Sequence, residues 1–125
     1  MSSEDLLRTL LVEGEGLAVF NVPSPRSKLL GKLLPKLAEK LRSLAAVGSK
    51  RLILDIARTP ELTSEHLGLL VKILRDADQV GIHTAICTPH RKAIEGLRLA
   101  AETRKAPIGV TVDAARQCLE VGRSA

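Results

Sequence analysis

The stretch RLILDIARTPELTSEHLGLLVKILRDADQVGIHTAIC, residues 51–87, decides the fold. Residues 51–56 form a short apolar run, which is typical of a strand that is covered on both faces. Residues 64–79 carry apolar side chains on one face and charged ones on the other, as an amphipathic helix does. Residues 83–87 predict the next strand. A strand, a helix and a strand in this order predict a βαβ unit with parallel strands.

Further elements are predicted on both sides of this unit. Residues 5–12 and 17–22 indicate the two strands of a hairpin around the turn sequence EGEG. After the unit, the predicted elements are a helix at 90–103 opened by Thr88 and Pro89, a strand at 108–112, and a terminal helix at 114–121 capped by Asp113. The order β-β-α-β-α-β-α-β-α predicts an α/β fold, in which helices pack against a mixed, mostly parallel sheet of about five strands.

A long helix is predicted between the hairpin and the βαβ unit. Residues 27–47 have leucines at spacings of three and four. Pro35 interrupts this pattern, because proline has no backbone N–H to donate. We therefore expect a short first turn and then a main helix from Pro35 to Val47. Gly48 follows at the position of a C-terminal cap.

The composition indicates one globular domain over residues 1–125, with a core at roughly 5–121. Phe20 is the only aromatic residue, so the core must consist of leucine, isoleucine, valine and alanine. Cys87 and Cys118 are too few for a disulfide framework and favour buried thiols in a reducing compartment. No segment resembles a signal peptide or a membrane span, so we expect a cytoplasmic protein.

The formal net charge of +5 is concentrated in one segment. Residues 26–51 are strongly basic, with Glu39 as their only acid. Four lysines recur at every fourth position, along one side of a helix: Lys28, Lys32, Lys36 and Lys40. This lysine stripe is either a solvated face opposite the leucines or a contact surface for an acidic partner or anionic lipid headgroups. Nucleic acid is less favoured, because the chain has almost no aromatic side chains for base stacking.

A family resemblance lies in the segment Asp55–Val71. Its sequence, DIARTPELTSEHLGLLV, is similar to DLSGVTxIDSSGLGLLV, which is frequent in the STAS family (sulfate transporter and anti-sigma factor antagonist). The positions that match without a gap are Asp55, Ser64 and Leu67–Val71, with Leu62 at the position of a similar isoleucine. The C-terminal VDAARQCLE also resembles the last helix of the family. The chain thus resembles a divergent STAS protein.

The resemblance implies a function as well as a fold. The simplest members of the family are bacterial anti-sigma factor antagonists, which regulate transcription without being enzymes. They bind an anti-sigma factor that is also a serine kinase, and so release a sigma factor. The kinase phosphorylates the first serine of D-S-S-G, which corresponds to Ser64. Ser64 is therefore the phosphorylation candidate, with Thr63 as the alternative.

Physical reasoning about Ser64 leaves two roles open. Ser64 should begin the helix at 64–79, where unpaired N–H groups and the helix dipole would stabilise a phosphate. The phosphate would bring about two negative charges to a partner surface. Alternatively, Ser64 or Thr63 only caps the helix. Three departures from the family motif suggest a partner-binding variant that does not cycle through phosphorylation: Thr63 for Asp, Glu65 for the second Ser and His66 for Gly.

The expected partner-binding surface is the loop 58–63 and the first two helical turns after it. Its candidate residues are Thr63, Ser64, Glu65, His66 and Gly68, where Gly68 would let another backbone approach closely. A second candidate partner is the ATPase of a membrane lipid transporter, since STAS domains also serve as subunits of such complexes. The membrane is then contacted only indirectly. A binder of nucleic acid or anionic membrane through the lysine stripe is a further alternative, and a homodimer stays open.

No catalytic, metal or cofactor site is predicted. A nucleophile, a base and an orienting acid do not occur together in one motif. Gly31 and Lys32 lack the flanking glycines of a phosphate loop. The three histidines, His66, His83 and His90, do not have zinc-site spacing with each other or with the cysteines. The sequence therefore favours a binding protein over an enzyme.

Overall fold

A five-stranded sheet forms the centre of the computed structural model, which describes residues 2–124. Its strands are β1 (Leu11–Gly14), β2 (Leu17–Asn21), β3 (Arg51–Asp55), β4 (His83–Cys87) and β5 (Ile108–Gly109), adjacent in that order. β1 pairs with β2 in the antiparallel sense, and the remaining neighbours are parallel. The predicted α/β class and the mixed, mostly parallel sheet are confirmed.

The helices are α1 (Ser3–Leu10), α2 (Leu29–Ala46), α3 (Ser64–Gln79), α4 (Arg91–Leu97), α5 (Ala101–Lys105) and α6 (Val112–Ser124). A 3₁₀ turn at Pro25–Ser27 precedes α2. In the described part of the chain, none of these helices is both long and apolar enough to cross a membrane.

Both faces of the sheet are covered at its centre. Leu52 and Leu54 of β3 point into the larger core, with α1, α2, α3 and α4, whereas Ile53 points to the opposite face and packs near α6. All three are 0% exposed, which confirms the predicted doubly covered strand. Phe20 of β2 lies at 0% exposure in the larger core, among aliphatic side chains.

The prediction of a strand at 5–12 is wrong for most of its length. Residues Ser3–Leu10 form α1, and only the following Leu11–Gly14 pair with β2 as the predicted hairpin. The Ser2 hydroxyl accepts a hydrogen bond from the Asp5 N–H at 3.2 Å and so caps α1. Leu7 and Leu10 are buried on one side of this helix, against α2. The hydrophobic face thus has helical spacing.

The expected break at Pro35 is also wrong. α2 runs without interruption from Leu29 to Ala46 and contains Pro35. The leucines before and after the proline lie on one buried face: Leu30, Leu33, Leu34, Leu37, Leu41 and Leu44. Burial of this continuous face outweighs the loss of one helical hydrogen bond. Gly48 ends the helix as predicted, at φ +87°, and its N–H donates to the Ala45 carbonyl at 3.1 Å.

The helix predicted at 90–103 is divided into α4 and α5. The buried Thr103 hydroxyl donates to the carbonyl of Leu97, the last residue of α4, and so satisfies a carbonyl at the helix end. Leu99, in the connection, is 81% exposed. A hydrogen bond from a hydroxyl outside α4 therefore marks the end of α4, which the hydrophobic periodicity of the sequence does not show.

The strand predicted at 108–112 is shorter, and Asp113 is not the cap of the last helix. β5 contains only Ile108–Gly109, and the backbone of Ala114 and Ala115 in α6 lies so close to Gly109 that an added Cβ would overlap it. Thr111 provides the side-chain cap, since its Oγ1 accepts from the Ala114 N–H at 3.1 Å. α6 begins at Val112, within the predicted strand, so the strand is shorter than β propensity suggests.

Candidate functional site

Ser64 lies at the start of α3 on the surface. Thr63 is the N-cap, in an extended conformation, and its Oγ1 accepts a hydrogen bond from the His66 N–H at 3.0 Å. Ser64 is the first helical residue and is exposed. Its hydroxyl makes no hydrogen bond to another residue in the described range 2–124. Of the two predicted capping candidates, Thr63 therefore fills the role and Ser64 does not.

The residues after Ser64 divide between the surface and the interior. Glu65 and Gly68 are exposed, and a Cβ added at Gly68 would have no other atom within 4 Å. His66 points inward instead and is 3% exposed. The surface next to Ser64 is thus formed by the acidic side chain of Glu65 and by Gly68, which has no side chain. The imidazole of His66 contributes to the layer beneath it.

His66 is an unusual interior residue. Neither ring nitrogen has a hydrogen-bond partner of good geometry among the described residues. Burial lowers the pKa of His66 below its ordinary value, while the Pro23 carbonyl and the Glu65 carboxylate act in the opposite direction and are weaker. The ring also lines a recess of about 180 Å³ between α3 and the loop after β2. A neutral imidazole at this depth fits the start of a helix, where the dipole disfavours positive charge.

A groove lies beside Ser64, at the carboxyl ends of the parallel strands. Asn21, Asp55 and Cys87 end β2, β3 and β4 in register, so the loops that follow leave the sheet together. They enclose about 870 Å³, lined by Ser24, Pro25, Arg26, Arg58, Pro60, Glu61, Thr63, Pro89, His90, Arg91 and Lys92. We call this the basic groove. Binding crevices in α/β proteins commonly lie at this edge of the sheet.

Sequence reasoning missed the basic groove, although a signal was present. Arg26, Arg58 and Arg91 each follow closely after a predicted parallel strand. Because the carboxyl ends of parallel strands meet at one edge, residues in these loops are neighbours in space although they are far apart in sequence. Part of the loop 58–63, which was predicted as a contact surface, forms one wall.

The lysine stripe is largely occupied by ion pairs within the chain. Lys36 Nζ lies 3.3 Å from Glu4 Oε1 of α1, and Lys40 Nζ lies 2.8 Å from Glu13 Oε1 of β1. Lys28 precedes α2 with φ +54° and is not part of the helical stripe. Only Lys32 remains as a helical lysine of the stripe with no ion pair among the described residues. Two lysines of the stripe are therefore engaged with acidic side chains of α1 and β1 and are less available to a partner.

The histidines and cysteines do not form a metal centre in the described part of the chain. Within residues 2–124, no group of three or more His, Cys, Asp and Glu side chains has the arrangement to hold a metal ion. Both cysteines are free: Cys87 is buried and Cys118 is half-buried. Burial, with a smaller effect of Asp55, raises the pKa of the Cys87 thiol, which makes it a poor nucleophile.

Comparison with known proteins identifies the fold of the chain. No model of a protein family matches the sequence, and no curated protein matches it significantly. A crystal structure described as "a putative anti-sigma factor antagonist" from Thermotoga maritima, TM1081, matches with a TM-score of 0.58 and 16% identity, over 90% of this chain and 92% of that chain. The chain has a STAS-like fold. An NMR structure of TM1081 matches with a TM-score of 0.63 and 17% identity, over 88% and 86% of the two chains.

The STAS-like fold agrees with the family resemblance read from the segment Asp55–Val71. In this fold, the exposed Ser64 begins a helix beside the loops at the carboxyl edge of the sheet. At identities of 16% and 17%, the likeness to the solved structures concerns the fold alone.

Proposed function

We propose that this protein is a regulatory module that binds another protein through α3 and the loop before it. The exposed contact residues are Ser64, Glu65 and Gly68, with Thr63 at the edge. The observation that carries the proposal is the free hydroxyl of Ser64, exposed at the start of a 16-residue helix whose cap is already formed by Thr63. A hydroxyl with no structural hydrogen bond is available for a partner or for modification.

The partner we propose is an anti-sigma factor that is also a serine kinase. The STAS-like fold and the description of TM1081 support this choice. Such a partner needs an exposed hydroxyl that it can reach without unfolding the helix, and Ser64 provides one. Gly68 lies one turn further along α3 and leaves space for a backbone of the partner.

We further propose that phosphorylation of Ser64 weakens this binding, because Ser64 keeps an exposed hydroxyl at the start of α3 although the residues around it depart from the family motif. A phosphate on the first helical residue would be stabilised by the free N–H groups and the helix dipole. It would also place about two negative charges beside Glu65, on the surface that faces the partner. Repulsion and steric conflict at a desolvated interface are sufficient for a two-state switch.

Affinity capture from the source cells tests the binding proposal. Gly68→Arg, which places a long charged side chain on the proposed surface, is compared with Ala46→Arg at the last residue of α2. Both positions are exposed and helical, and Ala46 lines neither the basic groove nor the recess beside His66. A protein that wild type and Ala46→Arg retain, and Gly68→Arg loses at least about tenfold, supports the docking surface. Equal capture by all three variants contradicts it.

The identity of the captured protein tests the pathway. A serine kinase that also binds a sigma factor supports the proposal, and an ATPase of a membrane transporter contradicts it. Incubation with the captured kinase and ATP, followed by intact-mass measurement, then tests the switch. A single phosphate that is absent in Ser64→Ala supports it, and an unchanged mass of the wild-type protein contradicts it.

A further inference from the structure

Three arginines that line the basic groove have no acidic partner among the described residues. Arg26, Arg58 and Arg91 are all exposed, and none of them forms an ion pair with another residue in the described range 2–124. They come from the loops after β2 and β3 and from the first residue of α4. Three like charges around one cavity repel each other, and a bound anionic group would remove that repulsion.

The acid in the groove wall is already paired. Glu61 Oε1 accepts a hydrogen bond from Lys92 Nζ at 2.9 Å, and this contact raises the pKa of Lys92. Glu61 therefore neutralises Lys92 and leaves the three arginines uncompensated. The groove thus has a net positive charge on its lining residues, whatever the state of His90.

We infer that the basic groove is the docking site for an acidic segment of the partner protein. This inference rests on the proposed function and extends it, because it adds the chemistry of the partner to the place where it binds. Arginine guanidinium groups bind carboxylates through paired N–H donors, so a segment rich in Asp and Glu complements the groove. Its volume of about 870 Å³ lies within the range usual for binding sites.

The groove is continuous with the α3 surface. Thr63 lines the groove and is also the N-cap of α3, so the next residue, Ser64, begins at the rim. A partner that contacts Ser64 and Gly68 therefore also lies close to the arginines that line the groove. Phosphate on Ser64 would then bring negative charge next to the site of the acidic segment and compete with it for the arginines.

The lining of the groove favours a peptide over a nucleic acid. The lining also contains Pro25, Pro60 and Pro89, whose rings add rigid apolar surface. No phenylalanine, tyrosine or tryptophan side chain is available for base stacking, because Phe20 is the only one in the chain and is buried. An extended acidic peptide uses both the charges and the apolar patches.

Binding of a labelled decaglutamate peptide, followed by fluorescence anisotropy, tests this inference. The double variant Arg58→Glu/Arg91→Glu is compared with Arg42→Glu/Arg98→Glu, which changes the net charge equally at exposed arginines outside the groove. We expect the groove variant to lose at least about tenfold in affinity and the control less than about twofold. Binding should also weaken at least about tenfold between roughly 50 and 300 mM salt.

Each other outcome overturns the inference. It fails if wild type does not bind decaglutamate, or if both double variants lose affinity equally. It also fails if single-stranded DNA or phosphatidylglycerol vesicles bind more tightly than the peptide with the same dependence on Arg58 and Arg91. Circular dichroism of every variant establishes that the fold is intact.

The test is independent of the capture experiment. Gly68→Arg should lose the protein partner and still bind decaglutamate. Failure of decaglutamate binding therefore does not contradict the α3 docking surface. Failure of partner capture does not contradict peptide binding in the basic groove.

Discussion

The Nε2–H of His90 donates a hydrogen bond of 2.7 Å to the carbonyl oxygen of Ala57. This bond joins the loop after β4 to the loop after β3, and the neighbouring residues are Arg91 and Arg58. The His90 backbone N–H also donates to Thr88 Oγ1 at 3.1 Å, which fixes the loop on its other side. The backbone separation between Arg58 and Arg91 is therefore set before any ligand arrives, which lowers the entropic cost of ordering the two loops on binding.

Removal of this bond should affect both stability and binding. We expect His90→Ala to lower the free energy of unfolding by about 1 kcal/mol, because the bond is lost and the loops separate more freely. Decaglutamate affinity should fall with it. His90→Gln, which retains an N–H donor, is the control and should recover part of both losses. Urea unfolding and anisotropy measure them, and unchanged values for His90→Ala would rule out a role of this contact.

Thr63 and Ser64 should differ sharply on substitution, although they are adjacent and chemically similar. Thr63→Ala removes the hydroxyl that accepts the His66 N–H and should cost about 1 kcal/mol of folding stability. Ser64→Ala removes an exposed hydroxyl without a hydrogen-bond partner and should change stability by less than about 0.5 kcal/mol. Thermal unfolding of both variants checks this. A larger loss for Ser64→Ala would show that Ser64 is the cap.

Gly68 should make the folded protein less stable than alanine at the same position would. It lies in the interior of α3 with open space around it, so Gly68→Ala should raise the free energy of unfolding by about 0.5 to 1 kcal/mol. Gly31→Ala in α2 is the matched control for helix propensity and should also be stabilising. Gly68→Ala should in addition weaken capture of the partner. Stabilisation at both positions without an effect on capture would mean that the partner does not approach Gly68.

Burial of His66 makes stability depend on pH. The pKa of His66 is lowered in the folded protein, so below its ordinary value of about 6.5 the unfolded chain binds a proton that the folded chain does not. The stability that the neutral, buried His66 contributes is present above pH 6.5 and is lost as pH falls toward the pKa of His66 in the folded protein. His66→Leu should therefore gain stability relative to wild type on acidification. Urea unfolding between about pH 5 and 7.5 measures the difference. The exposed-residue change His83→Leu is the control, and a similar slope for both variants contradicts the prediction.

Gly109 should not tolerate a side chain. A Cβ there would overlap backbone atoms of Ala114 and Ala115, and backbone cannot move as a flexible side chain does. Gly109→Ala should cost more than about 2 kcal/mol or prevent folding. Gly14→Ala in β1 is the control, since its Cβ would lie 3.9 Å from the Leu17 carbonyl oxygen, at ordinary contact distance. Chemical denaturation compares them. Equal stability would mean that α6 can shift.

The central βαβ unit was predictable because its local signals agree. α3 has the predicted bounds, 64–79, and β4 has the predicted 83–87, since periodicity, a cap and a following glycine all favour the same limits. At residues 3–10 the signals conflicted. Leucine-rich sequence before a turn fits a strand, while the Ser2 cap and the spacing of the buried leucines fit the helix that forms.

The remaining errors have tertiary causes. Pro35 stays within α2 because leucines on both sides of it share one buried face. The division between α4 and α5 depends on the Thr103 hydroxyl, which reaches back to Leu97. The basic groove combines loops that are distant in sequence, so only the sheet register shows that Arg26, Arg58 and Arg91 are neighbours. Single-sequence patterns do not contain such contacts.

That Phe20 is the only residue among Phe, Tyr and Trp in the chain has a practical consequence for studies of the complex. With no tryptophan or tyrosine in the chain, the protein contributes almost no ultraviolet emission of its own. A tryptophan in a partner would be observed without background and would report directly when that partner comes into contact. For the same reason, a single tryptophan introduced at the exposed Ser64 would serve as an optical probe of α3.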